Sequence, residues 1–214
     1  EKQSEEAVKS SLKEKEILLR ELNHRTKNNM QVISSLLQLQ AASTGNENMQ
    51  QIFNETQNRI RALSLVHDKL QSARTLASIN IREYIGELAR LLLKSYEKRP
   101  GMISLKLDID EIPLPMDVIT PCGLILNELI SNSLKYAFPG DRPGEIRISL
   151  HRTGGSGIAF SFSDNGIGLP EDFRNKRSLG LRLVRRITAK QLDGKLDIIM
   201  GDGAKFDITF NITG

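Results

Sequence analysis

The sequence predicts an α + α/β protein: a helical hairpin, paired into a four-helix bundle in a dimer, followed by a two-layer α/β sandwich. Three observations carry this. Apolar residues recur at spacings near three and four through Leu18–Leu37 and again through Ile52–Leu70, with Ala41-Ala42-Ser43-Thr44-Gly45-Asn46 breaking the pattern between them. The period then switches to two at Ile103-Ser104-Leu105-Lys106-Leu107-Asp108-Ile109. Beyond that point strand-like and helix-like segments are mixed, the order expected of an α/β layer. The boundaries expected are 1–22 for a leading coiled-coil helix, 18–74 for the hairpin and 78–214 for the sandwich.

In the leading segment Val8, Leu12, Leu19 and Leu22 fall near coiled-coil spacing, with Lys15 interrupting. This helix is expected to run straight into the next. The chain begins in helical character and without Met, so an upstream segment, a sensor, is expected to be missing. The hairpin cannot bury its apolar faces alone, and pairing with a second copy solves that, so a homodimer is expected.

At 100° per residue Leu18, Leu19, Leu22, Thr26, Asn29, Met30, Ile33, Leu36 and Leu37 share one side of the first helix, while Glu21, His24, Asn28, Gln31 and Ser35 share the other. His24 therefore points to solvent. A lone histidine is most often an ordinary surface or core residue, so its company decides. An imidazole titrates near ~6.5 and is largely a neutral nucleophile at neutral pH. Glu21 and Asn28, one turn before and after, can flank the ring, and Arg25 and Lys27 can attract a phosphate or an acidic partner. Asn28 could equally position a water for hydrolysis. His67 lies beside an apolar stripe and reads as structural.

Asn80 reads as the N-cap of a helix through Tyr96. Pro113–Pro121 leads into a helix expected over Cys122–Tyr136. Glu145–Leu150 and Ile158–Phe162 alternate as strands, Leu179–Leu192 is helical, and Lys195–Met200 with Lys205–Ile212 close as a pair around Gly201-Asp202-Gly203. Within Cys122–Tyr136, Glu128, Asn132 and Lys135 share a face at i, i+4 and i+7, an arrangement that calls for a ligand. A neutral amide oxygen suits Mg²⁺, which keeps waters and phosphate oxygens as its other ligands. Asp164-Asn165-Gly166-Ile167-Gly168 follows a strand and reads first as an Asp-Gly turn.

These segments carry a resemblance that covers nearly the whole chain. His24-Arg25-Thr26-Lys27-Asn28-Asn29, continued by Gln31-Val32-Ile33-Ser34-Ser35-Leu36-Leu37, resembles the phosphoacceptor box of two-component sensor histidine kinases, in the subfamily with an H-R-x-K-N-N box. Asn127–Tyr136 resembles the N-box of the GHKL ATPases, which implies that Asn132 ligates Mg²⁺, Lys135 contacts phosphate and Tyr136 flanks the base. Asp164–Gly168 resembles the D-x-G-x-G box, in which Asp164 would accept the adenine amino group and Gly166 and Gly168 would let the backbone approach. Ser178-Leu179-Gly180-Leu181 resembles the second glycine box, with Ser178 where many relatives have Gly, and its helix N-terminus would hold phosphate. Gly201-Asp202-Gly203-Ala204 resembles the last glycine element, with Ala204 where a hydroxyl residue is common. Only Glu171–Arg177 separate two boxes, so a short ATP lid bearing Arg174, Lys176 and Arg177 is expected.

The resemblance implies transfer of a phosphoryl group from Mg-ATP to His24 and onward to an aspartate in a response regulator receiver domain. Glu21 or Glu128 would orient or deprotonate the ring, since Arg25 stands where commoner relatives have an acid; both stay open. Two other classes also stay open: a GHKL ATPase or serine kinase whose hairpin only dimerises, and a dimeric scaffold. The absence of tryptophan argues against the neighbouring kinase group partly named for one.

Composition sets the remaining bounds. A net charge of +4 without an aromatic-studded basic patch argues against nucleic acid as partner. The single Cys122, in an apolar helical pattern, excludes an internal disulfide and fits a reducing cytoplasm. No apolar run approaches the ~20 residues that span a bilayer, and Glu1–Glu6 is no signal peptide.

Overall fold

A computed structural model describes residues 2–72, 79–96, 101–140, 142–170, 173 and 179–212. The chain divides into two compact units, Glu1–Ile79 and Asn80–Gly214.

The first unit is a pair of helices, α1 (Lys2–Ser43) and α2 (Glu47–Ser72). Helix α1 is continuous from the charged leading segment through His24. Thr44–Asn46 form the bend, and Asn46 Oδ1 accepts hydrogen bonds from the N–H groups of Asn48 (3.0 Å) and Met49 (3.2 Å), capping α2. Among the described side chains of α2, Ala62 and Val66 are the buried apolar residues, and Gln57 and Asn58 are buried as well. Across the hairpin Gln57 Nε2 donates to the Ser34 carbonyl at 3.3 Å, and Lys27 pairs with Asp68. The apolar side of α1 thus splits in two. Met30 and Leu37 are partly covered, while Leu18, Leu22, Ile33 and Leu36, with Met49 and Ile52 of α2, stay exposed. His67 is buried, and burial lowers its pKa below the ordinary imidazole value. The side chains of Leu12 and Leu19 lie outside the described residues.

In the second unit a two-residue strand β1 (Ile79–Asn80) pairs with β3 (Pro113–Leu114). Helix α3 (Ile81–Tyr96) is capped as the sequence suggests, Asn80 Oδ1 accepting from the Arg82 N–H at 3.0 Å. The five-stranded sheet contains β2 (Ile103–Ile109), β4 (Gly144–Gly154), β5 (Gly157–Asp164), β6 (Lys195–Gly201) and β7 (Gly203–Asn211), in the order β2-β4-β5-β7-β6. β2 and β4 are parallel and the other pairs antiparallel. Helix α4 (Met116–Asn132) lies in the β2–β4 crossover, and α5 (Leu179–Lys190) precedes β6.

Alternation explains the layering. Ile146, Ile148, Leu150, Ile158, Phe160, Phe162, Phe206, Ile208 and Phe210 are buried on one sheet face, while Lys106, Asp108, Arg147, Lys205 and Thr209 are exposed on the other. The buried residues of α3, α4 and α5, among them Tyr84, Leu88, Ile125, Leu129, Val184 and Ile187, complete the core. Each such side chain, fully buried, contributes about 1.5–3 kcal/mol.

One expected helix is corrected. α4 starts earlier, at Met116, and ends at Asn132; Ser133–Ala137 follow as a π-helical turn. A π turn fits one more residue per turn than an α-helix, so it rotates whatever follows. Lys135 thus lies in the π turn, while Glu128 and Asn132 lie in α4. No helix among the described residues is long and apolar enough to cross a membrane.

Candidate functional site

In the first unit His24 is exposed on α1, and its Nδ1 lies 3.2 Å from Asn28 Nδ2. The two possible amide orientations have opposite consequences. Nδ2 donating to Nδ1 keeps the ring proton on Nε2; the rotated amide accepts from Nδ1–H and frees the Nε2 lone pair. The expectation that Glu21 also flanks the ring is corrected. Glu21 Oε1 takes a hydrogen bond from Arg25 Nε at 2.8 Å. Both residues are one helical turn apart on an exposed face, where a guanidinium is the stronger partner for a carboxylate.

In the second unit the site is organised by Asp164, at the end of β5 and only 8% exposed. Its Oδ1 accepts from the N–H groups of Gly166 (3.0 Å) and Ala204 (3.3 Å), and its Oδ2 accepts from the Ser133 hydroxyl (2.6 Å). Ala204 has no side-chain hydroxyl, and it is its backbone N–H that reaches the carboxylate. Gly203 makes this approach possible. It has φ +106°, and a Cβ there would overlap the Asp164 carbonyl. The Ile167 N–H donates to the Ala137 carbonyl at 2.9 Å, tying the Asp-Gly turn to the π turn, and Gly168 packs on the Gly201 carbonyl.

Ser133 was not singled out in the sequence. The only signal was its place one residue after Asn132, and an α-helical reading gives that residue no special direction.

Glu128 is buried at 2% exposure, while Asn132 is partly exposed. Gly180, in the first turn of α5, packs against both. A Cβ on it would stand 2.6 Å from Glu128 Oε2 and 3.6 Å from Asn132 Nδ2, so a larger residue would push the helix start away. The start of α5, whose first-turn N–H groups have no partner within the helix itself, thus converges with the Asn132 amide and the Glu128 carboxylate, and Leu181 follows, partly buried. This donor set fits a Mg²⁺ ion that keeps most of its ligands as water and phosphate oxygen, because it offers few protein ligands and one amide oxygen. Among the described residues there is no cluster of three His, Cys, Asp or Glu side chains able to hold a metal.

Lys135 Nζ lies 5.1 Å above the centre of the Tyr96 ring, a cation–π contact, and Tyr136 is exposed. Ser178 and the lid residues Arg174, Lys176 and Arg177 lie outside the described residues. Burial pushes the Cys122 thiol up to about 12, so it is an inert core residue.

Two family models match the chain, the first running across the boundary of the two units to the end of α3 and the second lying within the second unit. Residues 21–96 match the family described as histidine kinase, and 118–214 match the histidine kinase-, DNA gyrase B-, and HSP90-like ATPase family. The chain is similar to the sensor histidine kinase PdtaS of Mycobacterium tuberculosis, 32% identical over 187 residues, covering 85% of this chain and 36% of that protein. It is also similar to blue-light-activated histidine kinase 2 of Erythrobacter litoralis, 26% identical, covering 92% of this chain and 54% of the relative. The chain therefore spans between a third and about half of the length of these relatives. In structure it is similar to the histidine kinase domain of an Erythrobacter litoralis blue-light activated histidine kinase, with a TM-score of 0.70, 21% identity, and 89% and 94% of the two chains covered.

Proposed function

The chain belongs to the histidine kinase family, and on that premise we propose that it transfers the γ-phosphoryl group of ATP to His24 and then to an aspartate of a response regulator receiver domain. The observation that carries this reading is the exposed His24 imidazole with Asn28 at its Nδ1, within the residues 21–96 that match the histidine kinase family. The H-R-x-K-N-N subfamily reading rests on His24–Asn29 alone.

Asp164 receives the adenine amino group on its carboxylate, and the start of α5 holds phosphate with backbone N–H groups. Asn132 would hold Mg²⁺, which when bound neutralises phosphate charge. In the transfer a bond forms between imidazole nitrogen and γ-phosphorus, the bridging bond from γ-phosphorus to oxygen breaks, and ADP leaves. The ring gives up one proton. Glu128 is the carboxylate on the nucleotide side that accepts it, because Glu21 is engaged by Arg25. Phosphoryl transfer has a loose transition state, so alignment and charge neutralisation do most of the work.

A homodimer is supported by the exposed Leu18, Leu22, Ile33, Leu36, Met49 and Ile52, which a second hairpin would bury in a four-helix bundle. A sensor segment in the full protein and a cytoplasmic location complete the reading. Incubation with γ-labelled ATP tests it. Acid-labile, base-stable label lost in His24→Ala is the expected result; acid-stable label retained in that variant would instead indicate a hydroxyl acceptor and the serine-kinase class.

A further inference from the structure

We propose that Asn127 is a positioning residue for Glu128, holding one carboxylate oxygen so that the other faces the nucleotide; this rests on the reading of Glu128 as proton acceptor. Both residues are 2% exposed, and Asn127 Nδ2 donates to Glu128 Oε1 at 3.0 Å. Adjacent helix residues point about 100° apart and do not ordinarily face each other, so the contact needs the amide to fold along the helix surface. Glu128 Oε2 lies on the side of Gly180 and Asn132. Asn127 thus fixes the carboxylate at Oε1, with Oε2 directed to the Gly180 side.

The second observation is that Asn127 Oδ1 is buried and has no hydrogen-bond partner among the described residues. An orphaned buried carbonyl destabilises a fold, and a leucine of similar volume, like the neighbouring Leu126 and Leu129, would remove that cost. Packing alone therefore does not explain an amide here. Its donor does: the amide N–H is held on Glu128 Oε1, a hydrogen bond that a leucine could not make.

The test measures single-turnover labelling of the full chain from γ-labelled ATP, together with Mg-ATP affinity and thermal midpoint. Asn127→Leu and the isosteric Asn127→Asp, which keeps the shape if Leu misfolds, are each made in wild-type and Glu128→Gln backgrounds. The expected result is a loss of about 10–100-fold in labelling rate, the range typical of supporting-residue mutations, with affinity nearly unchanged. For Asn127→Leu the thermal midpoint stays level or rises. In the Glu128→Gln background neither change slows labelling much further, because the residue acts through Glu128. A wild-type rate in both Asn127 variants while Glu128→Gln is slow overturns the positioning role alone. So do equal losses in both backgrounds, or a rate that falls together with affinity and midpoint. A wild-type rate in Glu128→Gln overturns the reading of Glu128 itself.

Discussion

Ser133 donates its hydroxyl to Asp164 Oδ2 at 2.6 Å, joining two buried residues 31 positions apart and completing the set of donors that Gly166 and Ala204 begin at Oδ1. The carboxylate is fixed before any nucleotide arrives. Removing the hydroxyl in Ser133→Ala should weaken adenine nucleotide binding by about 5–30-fold, the equivalent of one charge-assisted hydrogen bond. Asp164→Asn replaces an acceptor with a donor at one position and should erode the preference for ATP over GTP. Competition binding with the two nucleotides measures both.

His24 and Asn28 form a pair whose amide orientation selects the ring tautomer. Asn28→Ala should slow labelling of His24 by about 3–10-fold, a modest cost for losing one orienting hydrogen bond. Nitrogen chemical shifts of the imidazole should show a changed tautomer ratio. If labelling is unaltered and dephosphorylation of the regulator slows instead, Asn28 serves hydrolysis by placing a water.

Asn132→Ala should remove Mg²⁺-dependent labelling while leaving adenine binding within about 3-fold, because the base is held by Asp164 at a separate position. Titration of Mg²⁺ against labelling rate, with affinity for the free nucleotide measured in parallel, gives the answer. Normal labelling would move the metal ligand elsewhere.

Leu22→Asp combined with Ile33→Asp should convert a dimer to a monomer without unfolding the hairpin, since both side chains are exposed within one chain. Sedimentation and helical circular dichroism distinguish dissociation from unfolding. A persistent dimer would place the interface on another face.

His151 lies between two aspartates, with Nδ1 3.1 Å from Asp110 Oδ1 and Nε2 3.2 Å from Asp108 Oδ2. The hydrogen bond to Asp110 raises the His151 pKa above its ordinary value of 6.5, and the same bond lowers Asp110 below 3.8. A raised histidine stabilises the fold fully below its unfolded pKa and loses that contribution as pH rises through the folded one. A lowered aspartate contributes above its unfolded pKa and is lost as pH falls through the folded one. The pair should therefore add most between about pH 4 and 6.5. His151→Gln should flatten the stability profile there, and thermal midpoints across pH would show it.

Periodicity made the fold class legible. Alternation marked β2 over Ile103–Ile109 and the inward residues of β4, β5 and β7, because a half-buried sheet imposes a period of two on its sequence. Caps at Asn46 and Asn80 set helix starts, since a short side-chain oxygen satisfies N–H groups that no helix can satisfy itself. The π turn was hidden, as one inserted residue changes direction without changing composition. That turn holds both Ser133, which bonds Asp164, and Lys135, which lies over Tyr96.

The sequence by itself singled out the side chains on which the proposal rests: the imidazole of His24, the amide of Asn132, the carboxylate of Asp164 and the glycines beside it. Only the tertiary structure decided how they are partnered. Glu21 goes to Arg25 rather than to the ring, Asn127 to Glu128, and Ser133 with the Ala204 backbone to Asp164. The reason is physical. Residue type and helical spacing limit which atoms are available, but a hydrogen bond needs about 3 Å and a suitable angle, and contacts across 31 or 40 residues arise only when the strands and turns are packed.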